Sequence, residues 1–168
     1  VKGVGGYHLL CDAANDKAVA ALRARKPRPA KPLAVMFRDL AALRHAVHTT
    51  PELDRFLASS ERPIVLLPKK EPCPLAGEAA PRNRRVGAML PYTPLHHLLL
   101  NEGFTALVMT SGNLSEEPIA IDNADALERL AGIADAFLAM YLFETVCTIQ
   151  VRALAGGREL THSNRPGR

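Results

Sequence analysis

The chain has 168 residues, 48% of them hydrophobic and 23% charged, which fits one soluble globular domain able to bury its own core. Its formal net charge of +4 favours anionic partners such as nucleotides or RNA. Aromatic residues make up only 5% and Trp is absent, which argues against a base-stacking platform for single strands.

The opening VKGVGGYHLLCDA places glycines 3, 5 and 6 between apolar stretches and reads as strand, tight turn, strand. Residues 15–25 (NDKAVAALRAR) have helical spacing, with Val19 and Leu22 on one face and Asn15 as N-cap. KPRPAKP (26–32) is a basic loop whose prolines forbid a helix. LAVMF (33–37) is a continuous apolar run expected as a buried strand. Asp39 is placed to cap a helix through Ala46, and Thr50-Pro51 to start another.

PIVLL (63–67) reads as the next buried strand. Residues 68–85, rich in proline and charge, read as a long loop, either a lid or a functional excursion. VGAML (86–90) is strand-like, and Thr93-Pro94 begins the short helix LHHLLLNE. ALVMT (106–110) is a buried strand running into the polar loop SGNLSEEP, and a short helix follows over 124–130. AFLAMYLFETVCTIQVRAL suits one or two strands, with Gly156-Gly157 turning into RELT. The pattern predicts an α/β sheet, largely parallel with some antiparallel pairing. The expected layout is one domain over 1–160, incomplete at its N-terminal side, and a disordered tail over 161–168.

Cys11, Cys73 and Cys147 lie far apart with no CxxC pair, so no zinc site or disulfide framework is expected and a cytoplasmic location is. No apolar run reaches the ~18 residues of a membrane span, and no signal peptide is visible. The sequence opens on Val1 in what reads as the end of a strand, so the natural chain is expected to continue upstream.

Two stretches carry candidate chemistry. Arg23, Arg25, Lys26, Arg28 and Lys31 cluster on a proline-stiffened loop, as a polyphosphate site requires, although such a charge run also suits a solvated surface loop. Thr110, Ser111 and Asn113 follow a buried strand, where hydroxyls and an amide can meet a phosphate, ribose or carbonyl oxygen. An ordinary Ser/Asn/Gly turn has the same composition. Neither GxGxxG nor a Walker P-loop is present, so an ATP site here is of another type. His96 and His97, as helix neighbours, point about 100° apart and cannot share a metal; one is expected to pack, and His96 is a candidate cleft residue. Glu116-Glu117 suits an exposed acidic turn better than a Mg²⁺ ligand pair.

KGVGGYHLLCDA, RARKPRPAKPLAVMFRDL, RPIVLLPKK, MLPYTPLHHLLL, LVMTSGNLSEEPIAIDN and LERLAGIADAFL, taken in order, resemble the YrdC-like domain of the HypF family of hydrogenase maturation carbamoyltransferases. Threonylcarbamoyl-AMP synthases are looser relatives sharing KxR … SxN. The resemblance implies a YrdC-like α/β fold, a twisted mixed parallel and antiparallel sheet with a basic concave face. It implies carbamoyl-adenylate formation from Mg²⁺-ATP and carbamate released from carbamoyl phosphate. The carbamoyl group would then pass, in the full-length protein, to a HypE-like acceptor on the way to the cyanide ligand of [NiFe] hydrogenase. By the same resemblance KxR maps onto Lys26 and Arg28 as catalytic cations, with Lys31 a further phosphate contact. SxN maps onto Ser111 and Asn113 beside Thr110, and Lys2 lines the cleft.

Departures begin after Leu138, where AMYLFETVCTIQ replaces the family's NR.DDSVVR element, and THSNRPGR stands in place of a closing basic segment. Two other readings stand beside the enzyme: a double-stranded RNA-binding module, which the basic concave face implied by the resemblance would suit, and, given these departures, a catalytically inactive fragment.

Overall fold

The computed structural model describes residues 1–26, 31–114, 117–143, 146–155 and 158–159. The chain divides into two compact units, one of residues 10–110 and one of residues 1–9 with 111–168. Strands β1 (His8–Asp12), β2 (Ala34–Phe37), β3 (Val65–Pro68), β4 (Arg85–Met89) and β5 (Ala106–Ser111) form a sheet in the order β1-β5-β2-β4-β3. β2 pairs parallel with β4 but antiparallel with β5, and β3 pairs antiparallel with β4. The sheet is therefore mixed rather than largely parallel. No α-helix crosses over between β3 and β4, and such a connection returns a strand antiparallel.

Register explains the apolar runs. Val35 lies opposite Ala88 and Val108, while Met36 lies opposite Met89 and Leu107, so the two sets occupy opposite faces. All six are buried, which is why LAVMF and ALVMT are continuous rather than alternating. On the second face Met36, Met89, Leu107 and Met109 cluster with Leu100 of the helix Pro94–Asn101. Each such side chain contributes about 1.5–3 kcal/mol by leaving water.

The helices of this unit are α1 (Asp16–Arg25), α2 (Leu40–Ala46), α3 (Pro51–Leu57) and α4 (Pro94–Asn101). Each begins at the cap its sequence offers. Asn15 accepts from the Ala18 amide at 3.1 Å and Asp39 from Ala42 at 2.7 Å. Thr50 accepts from Leu53 and Thr93 from His96, both at 3.3 Å. The Ala42 amide, helped by the Arg38 guanidinium at 3.1 Å, holds the Asp39 carboxyl below the usual carboxylate range.

Two expectations are corrected. PIVLL is not buried throughout: β3 ends the sheet, and Ile64 and Leu66 are 59% and 62% exposed while Leu67 is buried. Residues 68–85 are not a lid. Ala76, Ala79 and Ala80 are buried, the Ala76 amide bonds Ala13 O and the Leu33 amide bonds Ala79 O, both at 2.8 Å. A 3₁₀ turn, Gly77–Ala79, lies in this segment, and Lys69 Nζ reaches Ala80 O at 3.2 Å.

In the other unit, Lys2 and Tyr7 pair across a turn closed by the Gly3 amide on Gly6 O at 2.8 Å. Helix α5 (Asn123–Leu130) starts at Asp122, which accepts from the Ala124 amide at 2.8 Å. β6 (Ala136–Phe143), β7 (Val146–Ala155) and β8 (Arg158–Glu159) form an antiparallel sheet in that order. The departing segment thus has strand backbone at residues 139–143 and 146–150, and the Lys2 amide bonds Leu138 O at 2.8 Å. The expected Gly156-Gly157 turn and the tail over 161–168 lie outside the described residues.

Replacing Asp39 by Ala should cost about 1 kcal/mol, the usual worth of an N-cap, read as a lower denaturation midpoint with unchanged denaturant slope. Burial, with the Asp12 carboxylate beside it, pushes the Cys11 thiol from 9.0 up to about 11. Its contribution to stability is full below pH 9.0 and is lost as pH rises to about 11, because the unfolded chain releases the proton first. At pH 8 the Cys11 peptide should therefore resist alkylation in the folded chain and react once guanidinium is added, as mass spectrometry would show.

Candidate functional site

The polar loop that follows β5 is fixed by backbone geometry. The Gly112 amide donates to Tyr7 O at 2.7 Å, the Tyr7 amide to Ala120 O at 2.7 Å, and the Ala120 amide to Gly112 O at 2.8 Å. These bonds close a ring that ties Tyr7 to Gly112 and Ala120, eight residues apart on the far side of the sequence. A Cβ on Gly112 would lie 2.6 Å from Tyr7 O, so only glycine allows the approach. On either side of Gly112, Ser111 Oγ donates to Asn113 Oδ1 at 2.7 Å, and Asn113 Nδ2 donates to Glu117 O at 2.6 Å. Thr110, the residue before this pair, is buried. The described part of the loop is therefore held by its own hydroxyl and amide on a backbone anchored at Gly112 and Ala120.

The same unit holds Lys2. Its Nζ donates to Asn123 Oδ1 at 2.9 Å, and the Tyr7 hydroxyl donates to the same oxygen at 2.8 Å. The Lys2 ammonium also stands 5.8 Å from the Tyr7 ring centre. Glu117 is paired with Arg129 at 2.9 Å, and Arg129 also meets Asp125 at 2.8 Å and Pro118 O at 2.7 Å. Glu117 thus braces the loop, and Glu116 lies outside the described residues.

The basic loop belongs to the unit of residues 10–110. Lys26 caps α1, its amide on Leu22 O at 2.9 Å, and is buried. Arg28 lies outside the described residues, and Lys31 is exposed. Arg23, one of the cluster, serves the fold. Its guanidinium bonds Glu78 O at 2.7 Å and Lys31 O at 3.2 Å, with the Glu78 carboxylate at 3.5 Å. It anchors the far end of the basic loop to α1. His96 is 1% exposed with Tyr92 edge-on at 4.4 Å, so of the histidine pair it is the one that packs, while His97 is exposed. A cavity of about 400 Å³ between α2 and α3, lined by Arg44, His48, Thr50, Asp54 and Lys70, includes none of the sequence-predicted residues.

Tyr7, Asn123, Arg129 and the fixing role of Gly112 escaped the sequence reading. The Asp122 cap ahead of NADALERL was a usable signal for where Asn123 sits, but its bond to Lys2 spans 121 residues.

The Sua5/yciO/yrdC family model, described as Telomere recombination, matches residues 1–149. The chain is 53% identical over 139 residues to a Synechocystis protein named carbamoyltransferase HypF, and 52% identical over 140 residues to its namesake from Rhodobacter capsulatus. Either match covers 82% of this chain but 18% of the relative, so the chain spans under a fifth of their length. A full-length HypF solved in a phosphate- and nucleotide-bound form superposes with a TM-score of 0.77 at 51% identity, over 80% of this chain and 18% of that one. Sua5 of P. abyssi, in complex with L-threonine, shares the fold at a TM-score of 0.68 and 21% identity, over 79% of this chain and 39% of that one.

Gly112→Ala should cost about 1–3 kcal/mol, because the added methyl meets backbone that cannot move aside. Gly132→Ala, with nothing within 4 Å of its Cβ, should stay within about 0.5 kcal/mol. Parallel thermal melts of the two variants check the contrast.

Proposed function

Because the chain belongs to the Sua5/yciO/yrdC family, with HypF carbamoyltransferases among its relatives at about half identity, we propose that it is their ATP-dependent carbamoyl-adenylating domain. The observation that carries this reading is the 51% identity to a HypF solved with phosphate and nucleotide, joined to a Ser111–Asn113 loop held in a fixed shape. A carbamate oxygen attacks the α-phosphorus of Mg-ATP, the bond to the β-phosphate bridging oxygen breaks, and carbamoyl-adenylate and pyrophosphate result. Carbamate comes from hydrolysis of carbamoyl phosphate, in which water takes the carbamoyl carbon and inorganic phosphate leaves, and transfer to a HypE-like acceptor is the work of the longer protein.

Negative charge builds on the α-phosphate and on the departing pyrophosphate, and fixed cations with aligned donors stabilise it. Lys26 and Arg28 are the catalytic cations in this reading, with Lys2 and Lys31 as further phosphate contacts. Thr110, Ser111 and Asn113 supply hydroxyl and amide groups; the Ser111 hydroxyl can turn from Asn113 towards an incoming oxygen by rotation about one bond. Mg²⁺ enters with the triphosphate, whose oxygens are its natural ligands.

Mg-ATP at millimolar concentration should raise the melting temperature of the chain, since a ligand bound only by the folded state stabilises it by about 2.7 kcal/mol at one hundred times its Kd. Lys26→Ala should abolish that shift and slow carbamate-dependent ATP–pyrophosphate exchange by about 10²-fold or more. Absence of any shift with Mg-ATP, alongside duplex-RNA binding that falls steeply with salt, would replace the enzyme with the RNA-binding module.

A further inference from the structure

Asn123 is placed with little freedom. It is the first residue of α5, and Asp122 before it accepts from the Ala124 and Asp125 amides at 2.8 and 3.4 Å. Its single carbonyl oxygen takes two donors, the Lys2 ammonium at 2.9 Å and the Tyr7 hydroxyl at 2.8 Å. Tyr7 is 3% exposed, so its hydroxyl needs a partner and its ring cannot swing away. Lys2 is held at its backbone by the pairing with Tyr7 and by Leu138 O. Among the described residues no carboxylate pairs with this ammonium.

The choice of an amide has a chemical consequence. An aspartate here would hold Lys2 through a shorter, charge-assisted bond but would cancel its charge. An apolar residue would take away the acceptor that both donors share and leave the lysine free to rotate. Asparagine satisfies both donors and leaves the full positive charge in place. We infer that Asn123 is a positioning residue that holds Lys2 as an uncompensated cation for a phosphate oxyanion of the substrate. This rests on the nucleotide-site reading above and adds to it a residue outside KxR and SxN. The oxyanion belongs either to ATP or to carbamoyl phosphate.

The test compares the 168-residue chain with Asn123→Asp by calorimetric titration, using Mg-ATP in one arm and carbamoyl phosphate in the other, with thermal melts alongside. Asn123→Asp should melt no lower than wild type, because both donors keep their acceptor, yet bind one of the two ligands about tenfold or more weakly. The affected arm identifies the oxyanion. Lys2→Gln, neutral but still able to donate to Asn123, should weaken the same ligand by a similar factor, and it decides the matter should Asn123→Asp fail to fold. Wild-type binding that both variants leave unchanged overturns this inference alone. A wild-type chain that binds neither ligand overturns the nucleotide reading and this inference with it.

Discussion

The unit of residues 1–9 and 111–168 depends on a ring of three backbone hydrogen bonds joining Tyr7, Gly112 and Ala120. Each bond alone is worth about 1 kcal/mol net, but together they fix three chain segments with one another. The ring closes only because position 112 lacks a side chain. Its consequences run outward. Tyr7, pinned by its backbone, aims its hydroxyl at Asn123; Asn123 sets the Lys2 ammonium; and Ser111 and Asn113 flank the pinned glycine. The shape of this loop is thus inherited from a packing constraint on one residue.

Several of the described cations are engaged by the fold itself. Arg23 directs its planar fork at carbonyls at the start and end of neighbouring segments, and Arg129 directs its own at Glu117, Asp125 and Pro118 O. Guanidinium suits both roles because it delivers several fixed donors at once. Lys2 is held differently, by a neutral amide. The net charge of +4 therefore understates how specifically positive charge is allocated.

Much of the fold was legible because local chemistry declares itself. Asn15, Asp39, Thr50 and Thr93 each cap the helix expected of them, and prolines 51 and 94 sit where the missing amide costs nothing. What escaped was non-local. PIVLL has the composition of a core strand, yet only the order of strands reveals that it lies at an edge. Residues 68–85 look like a free loop because prolines and charges mask the three alanines that bury it. Of the candidate site, Ser111, Asn113 and Lys2 could be named from motifs and resemblance, whereas Asn123 could not, since nothing in NADALERL signals a lysine at the other end of the chain. The SxN pair reads from sequence as two ligand-facing groups; the structure adds that each also serves its own loop.

The terminal strand of the five-stranded sheet leaves Ile64 and Leu66 facing outward, a combination that ordinarily invites sheet-to-sheet sticking. Here the strand is only four residues long, finishes in a proline that has no amide to offer, and leads straight into Lys69 and Lys70. An incoming chain would find a short ladder with a missing rung at Pro68, whose carbonyl already accepts from the His48 amide at 2.8 Å. The border is thereby blunted against runaway self-association while keeping its greasy face open.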